Sequence, residues 1–200
     1  MTKETLTGSV PLKNGSRGLL VVSDYTHVDH DLGEQLFGIM RRAYESHATK
    51  TTFRYRYDRD EWMGFMGNAE ILKFVATLDG AVVGLLTGAP VETVFHMDPA
   101  YYAARYPGRR VWVQEDTFVD PAIKDLRVVK ALFQAGLRWA KDHEVVVSFG
   151  TADHMVQRRY IDLIRRFVAS ELPDADVVEV DAYHYYEFDT VAGAEPPITD

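Results

Sequence analysis

Residues 111–149 read VWVQEDTFVDPAIKDLRVVKALFQAGLRWAKDHEVVVSF. Val111–Val119 is rich in β-branched and aromatic side chains, the composition of a strand. Pro121 fits the first turn of a helix, where its fixed φ costs nothing. That helix is predicted to run to about His143, with Val129, Leu132, Phe133, Gly136, Leu137 and Ala140 along one side. Val145–Phe149 follows as an unbroken apolar run, predicted to be a buried strand.

Outward from this unit, both strand and helix signals recur. Upstream, Leu19–Ser23 is a short apolar strand. Asp29 or Asp31 can cap a helix to about His47, carrying Leu32, Leu36, Phe37, Ile39, Met40, Ala43 and Tyr44 at helical spacing. A polar stretch alternating Tyr and Arg (Thr51–Tyr57) precedes a short helix capped by Asp58. Glu70–Leu78 and Ala81–Thr87 flank Asp79-Gly80, the signature of a type I′ hairpin. Residues 90–110 read as a loop with one short helix. Downstream, Asp153 caps a helix predicted to about Val168, with Tyr160, Ile164 and Phe167 inward. Val177–Val180 and Tyr183–Phe188 read as two final strands. The expected organisation is a flexible lead-in over residues 1–18, one mixed α/β domain over 19–189, and a mobile acidic tail over 190–200.

The chain has 200 residues, 46% hydrophobic, enough for one sizeable core and too apolar for a disordered chain. It has no cysteine, which excludes disulfides, thiolate metal sites and a cysteine nucleophile. No apolar run approaches the roughly 18–20 residues of a membrane span. The polar start lacks a signal-peptide core, so a cytoplasmic protein is expected. The net charge of −8 is unevenly placed. Nine acidic residues and no Lys or Arg lie between Glu171 and Asp200, while the preceding 170 residues carry 22 basic side chains against 21 acidic. That balance disfavours a broad nucleic-acid surface. The acidic segment keeps the protein soluble or attracts a cation.

A helix that opens just after a strand offers unpaired N–H groups and a positive dipole end to an anion. Here the junction carries Lys124, Asp125, Leu126, Arg127, Val128 and Val129. Val119-Asp120-Pro121 ends the strand, Ala131-Leu132 packs the helix, and Asp153 and Tyr160 stand seven apart on the next helix. This layout resembles the GNAT superfamily of acyl-CoA-dependent N-acyltransferases. The resemblance spans roughly residues 19–188 and rests mainly on 119–167.

The resemblance implies an α/β fold with a mostly antiparallel sheet, flanked by helices and splayed between its fourth and fifth strands, here Val111–Val119 and Val145–Phe149. It implies acetyl-CoA or another acyl-CoA as co-substrate, with Phe118 and Val119 holding the pantetheine arm through their backbone. Lys124–Val129 and Asp153 would then lie against the cofactor, and Tyr160 would protonate the leaving thiolate. Glu115 and Asp116 are the carboxylates available as general base. They are consecutive, so strict alternation would point only one into the cleft. The expected acceptor is a small-molecule amine of cationic character, and pairing of the last strand offers a route to a homodimer. The loop departs from the family pattern at Arg127 and Val129, where glycines let the backbone approach a diphosphate. That departure leaves open two alternatives, a binding or assembly protein without catalysis and an enzyme using a donor other than CoA.

His27, Asp29, His30 and Asp31 include metal-ligating types, but an ordinary polar loop with an Asp cap accounts for them, and no metal is expected. Arg158-Arg159 and Arg165-Arg166 recur seven apart and suit a solvated helix face. A nucleophile elbow and a dinucleotide-binding glycine motif are both missing.

Overall fold

The computed structural model describes residues 3–11, 17–45, 57–123, 125–149, 159–173 and 175. Six strands form one sheet in the order β1 (Lys3–Pro11), β2 (Arg17–Tyr25), β3 (Leu72–Leu78), β4 (Ala81–Pro90), β5 (Val111–Val119) and β6 (Val146–Phe149). Neighbours are antiparallel from β1 to β5, and β5 and β6 run parallel. The helices are α1 (His30–Glu45), α2 (Arg59–Gly67), α3 (Pro99–Arg105), α4 (Leu126–Asp142) and α5 (Arg159–Glu171). Among the described residues, no helix is long and apolar enough to cross a membrane.

Two layers of helix cover the sheet. On one face α4 buries Val128, Leu132 and Phe133 against Leu20, Val22, Phe74, Leu86 and Trp112, joined by Ile164 and Phe167 of α5. Gly136 lets α4 approach, with Leu86 and Phe74 in ordinary contact with the place a Cβ would take. On the other face Leu36, Ile39 and Met40 of α1 and Trp62 and Met66 of α2 pack on Val75, Leu85 and Phe118. A third cluster of Ile71, Val91, Tyr102 and Val113 closes the sheet end beside α3.

Local chemistry explains several boundaries. Asp79 and Gly80 have φ of 51° and 82°, the double positive φ of the predicted hairpin turn. Asp58 and Glu61 form a reciprocal capping box on α2, and Asp29 accepts the Leu32 N–H at 2.9 Å to cap α1.

Three expectations need correction. Lys3–Pro11, read as part of a flexible lead-in, is a strand paired along β2, and it buries Val10 under α4. Its Thr- and Ser-rich polar half had hidden the alternation. The long helix begins at Leu126 rather than Pro121. Asp120 first closes a turn, accepting the Ala122 N–H at 2.9 Å and the Ile123 N–H at 2.7 Å, and Asp125 then caps α4. β6 is half-buried along its length rather than fully buried. The strands predicted at 177–180 and 183–188, the cap Asp153 and the tail lie outside the described residues.

Candidate active site

A β-bulge on β5 creates the site. Leu86 faces Thr117 and Gly88 faces Gln114, so Glu115 and Asp116 together oppose Thr87. The Asp116 N–H donates to the Thr87 hydroxyl at 3.2 Å. The extra residue also shifts the phase of the strand. Trp112 packs under α4, whereas Phe118, an even number of positions later, packs under α1 and α2. Asp116 is buried and Glu115 half-buried, and the charges of both reach one tyrosine.

That tyrosine is Tyr57, whose hydroxyl is pushed to a higher pKa by burial and by the charges of Asp116 and Glu115. Tyr44 of α1 donates to Asp116 Oδ1 at 3.4 Å, and its pKa is likewise raised by burial and by Asp116. Asp116 is 8% exposed. Burial pushes its carboxyl up to about 7, against the Tyr44 hydrogen bond, which works in the opposite direction. Burial and then the Asp116 charge raise Glu115 to about 7. Neighbouring carboxyls with pKa values raised to near neutrality can exchange protons close to neutral pH. An aromatic wall adjoins them, with Trp62 5.9 Å from Phe118 and 6.0 Å from Tyr57 between ring centres.

The pair follows directly on the stretch of β5 whose pairing with β6 is described. β6 pairs with β5 over Val111–Gln114, and the described register ends there, at the bulge. Phe118 is buried and Val119 half-buried, their side chains packed to opposite faces. The extended backbone of this segment suits the amides of a pantetheine arm, since a strand edge hydrogen-bonds an extended partner.

The start of α4 is built differently. Asp125 accepts the Arg127 N–H at 2.9 Å, and the Arg127 guanidinium folds back onto the same carboxylate, with Nη2 at 2.5 Å. Hydrogen bonds from Arg127 hold Asp125 below the usual carboxylate range. Leu126 is 67% exposed, Val128 is buried, and Val129 packs against the core rather than over the helix end. The β5 edge thus has the extended form that would suit a pantetheine arm, whereas at the start of α4 a carboxylate of the chain itself caps the helix.

Tyr160 belongs to α5, but its side chain, like all of Lys124 and Asp153, lies outside the described residues. Tyr44 and Tyr57, which contact or face the carboxylates, are not marked out by the sequence. Tyr44 follows the apolar stripe of α1 and looked like core, and the Tyr/Arg alternation that contains Tyr57 carried no chemical signal. The histidine-rich loop divides its contacts: His27 Nδ1 lies 3.2 Å from the Gly67 carbonyl, and His30 faces Asp31 and Glu34. Among the described residues, no group of three or more His, Asp or Glu is arranged to hold a metal.

No family model matches the sequence, and a search of curated proteins also found no match. Solved structures do match. An aminoglycoside acetyltransferase from an uncultured soil metagenomic sample superposes with a TM-score of 0.55 at 18% identity, over 84% of this chain and 97% of that one. The GNAT domain of S. lividans PAT gives a TM-score of 0.55 at 14% identity, over 80% and 86%. A ribosomal-protein-alanine N-acetyltransferase from Brucella melitensis biovar Abortus 2308 gives 0.54 at 13% identity, over 84% and 99%. The chain has the GNAT fold, a mixed sheet of mostly antiparallel strands flanked by helices.

Proposed function

We propose that the protein is an N-acyltransferase that moves an acyl group, acetyl in the first instance, from an acyl-CoA thioester to an amine. The observation that carries this reading is the bulge at Glu115 and Asp116, which sets two neighbouring carboxylates against Tyr44 and Tyr57 just past the stretch of β5 that pairs with β6.

An amine enters as its ammonium form and must lose a proton to attack. A carboxylate whose pKa lies near neutrality is matched to that transfer. One of the Glu115/Asp116 pair accepts the proton, directly or through water. The amine nitrogen then bonds to the thioester carbonyl carbon, the carbon–sulfur bond breaks, the departing thiolate takes a proton from a site acid, and the nitrogen gives up its second proton to restore that acid. Tyr160 is assigned the role of that acid by the resemblance. The acceptor we favour is a cationic small molecule, because carboxylates bordered by aromatic rings attract cations. A structural neighbour at a TM-score of 0.54 was solved in complex with sisomicin, which is consistent with an amine acceptor.

A second reading, a binding protein without catalysis, draws on one observation: the start of α4 is occupied by Asp125 and Arg127. Thiol release from acetyl-CoA, measured against a panel of polyamines, aminoglycosides and neutral amines, separates the two. The first reading expects turnover that favours polycations and falls by about 10²–10⁴ in Asp116→Asn or Tyr160→Phe with folding intact. No thiol release with any amine, in a protein that melts cooperatively, would overturn it in favour of the second.

A further inference from the structure

We propose that this chain grips its donor by the acyl-pantetheine arm alone, and that Asp125 excludes the nucleotide diphosphate from the start of α4, so that pantetheine thioesters lacking the nucleotide are donors on a par with acetyl-CoA. The inference rests on the acyltransferase reading and names the donor class for the same site.

The argument begins with what a helix N-terminus offers an anion, which is backbone N–H groups and the positive end of the dipole. In α4 two of these N–H groups are already engaged, and a carboxylate of the chain already faces the dipole end. Asp125 Oδ1 accepts the Arg127 N–H at 2.9 Å, and the Asp125 carbonyl accepts the Val128 N–H at 3.2 Å. The Arg127 side chain is turned onto the same carboxylate, with Nε at 2.8 Å and 3.0 Å from its two oxygens and Nη2 at 2.5 Å. A fork of this kind satisfies both carboxylate oxygens. A diphosphate at this place would have to displace a carboxylate that is held by backbone and side chain together, or sit beside its negative charge.

The same helix end presents Leu126 to solvent, 67% exposed, with no hydrogen-bonding group of its own side chain to give a phosphate. The acyl end is treated differently. The bulge, the carboxylate pair and the extended backbone of Phe118 and Val119 lie on β5 itself, while the contacts of Asp125 run to Arg127 and Val128. Recognition is thus built at the reacting end and withheld at the nucleotide end. Free pantetheine thioesters and a pantetheine-bearing carrier protein present the same arm, and the direct test uses the free compound.

The experiment compares acetyl-CoA with S-acetylpantetheine as donors for one accepting amine, in the wild type, Asp125→Asn and Arg127→Ala, together with calorimetric titration of CoA, pantetheine and adenosine 3′,5′-diphosphate. The expected wild-type kcat/KM values for the two donors agree within about threefold, and the diphosphate gives no measurable heat. In Asp125→Asn, which keeps a capping oxygen but loses the charge, the ratio of acetyl-CoA to acetylpantetheine efficiency rises about tenfold. A wild-type preference for acetyl-CoA of about a hundredfold, or a ratio unmoved by Asp125→Asn, overturns the proposal while leaving the acyltransferase reading intact. If neither donor turns over, the acyltransferase reading fails by itself. The titrations then still decide the grip: CoA bound at least tenfold more tightly than pantetheine overturns it, and equal affinity supports it.

Discussion

The guanidinium of Arg42 meets the carboxylate of Asp120 at 2.5 Å, joining α1 to the turn that carries β5 into α4. Asp120 also donates its N–H to the Val83 carbonyl at 2.8 Å and accepts the Ala122 N–H. One residue therefore ties both helical layers to the end of the strand that bears the carboxylate pair.

Burial pushes the Asp120 carboxyl up, but the hydrogen bond and charge of Arg42, with the Ala122 N–H, outweigh it and hold the pKa below its usual value. A depressed carboxylate adds stability above the unfolded pKa near 4 and loses it as the pH falls through the folded value. Arg42 is half exposed, so Arg42→Ala is expected to cost no more than about 1 kcal/mol at pH 7. Urea melts should show that deficit at pH 7 and a shrinking one as the pH falls below the unfolded value and through the folded one. An unchanged deficit at low pH would mean that Arg42 acts through packing.

Asp116 gives the opposite sign. Its folded pKa, raised to about 7 by burial, lies above the unfolded value, so the folded state binds more protons between the two. Its contribution is fully present below about pH 4 and is lost as pH rises towards 7. Asp116→Asn should accordingly gain on the wild type by on the order of 2 kcal/mol between pH 4 and pH 8. Thermal melts at the two pH values test this, and a constant difference would contradict it.

Lys73 is fully buried on β3, and its ammonium donates to the Thr26 carbonyl at 3.1 Å and to the Asn68 carbonyl. Thr26 precedes α1 and Asn68 follows α2, so one cation fastens both roots of the helical pair that brings Tyr44 to Asp116. The Val28 N–H bond to the Met66 carbonyl at 3.3 Å reinforces the same junction. Lys73→Met leaves two carbonyls without that donor and should cost about 1–3 kcal/mol at pH 7. Burial lowers the Lys73 pKa to about 8. The folded state thus sheds its proton before the unfolded chain does, and wild-type stability from this group rises between about pH 8 and 10.5. The deficit of the methionine variant should therefore be larger at pH 10 than at pH 7.

Gly88 lies under the indole of Trp112, and a Cβ placed there would stand 2.1 Å from a ring carbon. Trp112 is buried between Phe74 and Trp139, with ring centres at 6.4 Å and 5.6 Å, so the ring has little room to retreat. Gly88→Ala is expected to cost about 1–3 kcal/mol and to change tryptophan emission. A variant with wild-type melting would show that the ring can move.

Much of this protein is written in local chemistry. The Asp79-Gly80 turn, the Asp58 cap and the apolar stripe of α4 each depend on neighbours within a few positions, and sequence alone determines them. The large side chains of Arg127 and Val129, where close backbone approach would call for small residues, are likewise a matter of sequence alone. Three matters were decided only by the tertiary structure. β1 becomes a strand because β2 offers it an edge and α4 a surface for Val10. Glu115 and Asp116 become a pair because the bulge is defined by registry with Thr87, 28 positions away from Glu115 in the chain. Tyr44 and Tyr57 join them because α1 and α2 fold back over the sheet. Their roles come from burial and from charges distant in sequence, and those quantities exist only once the layers have packed.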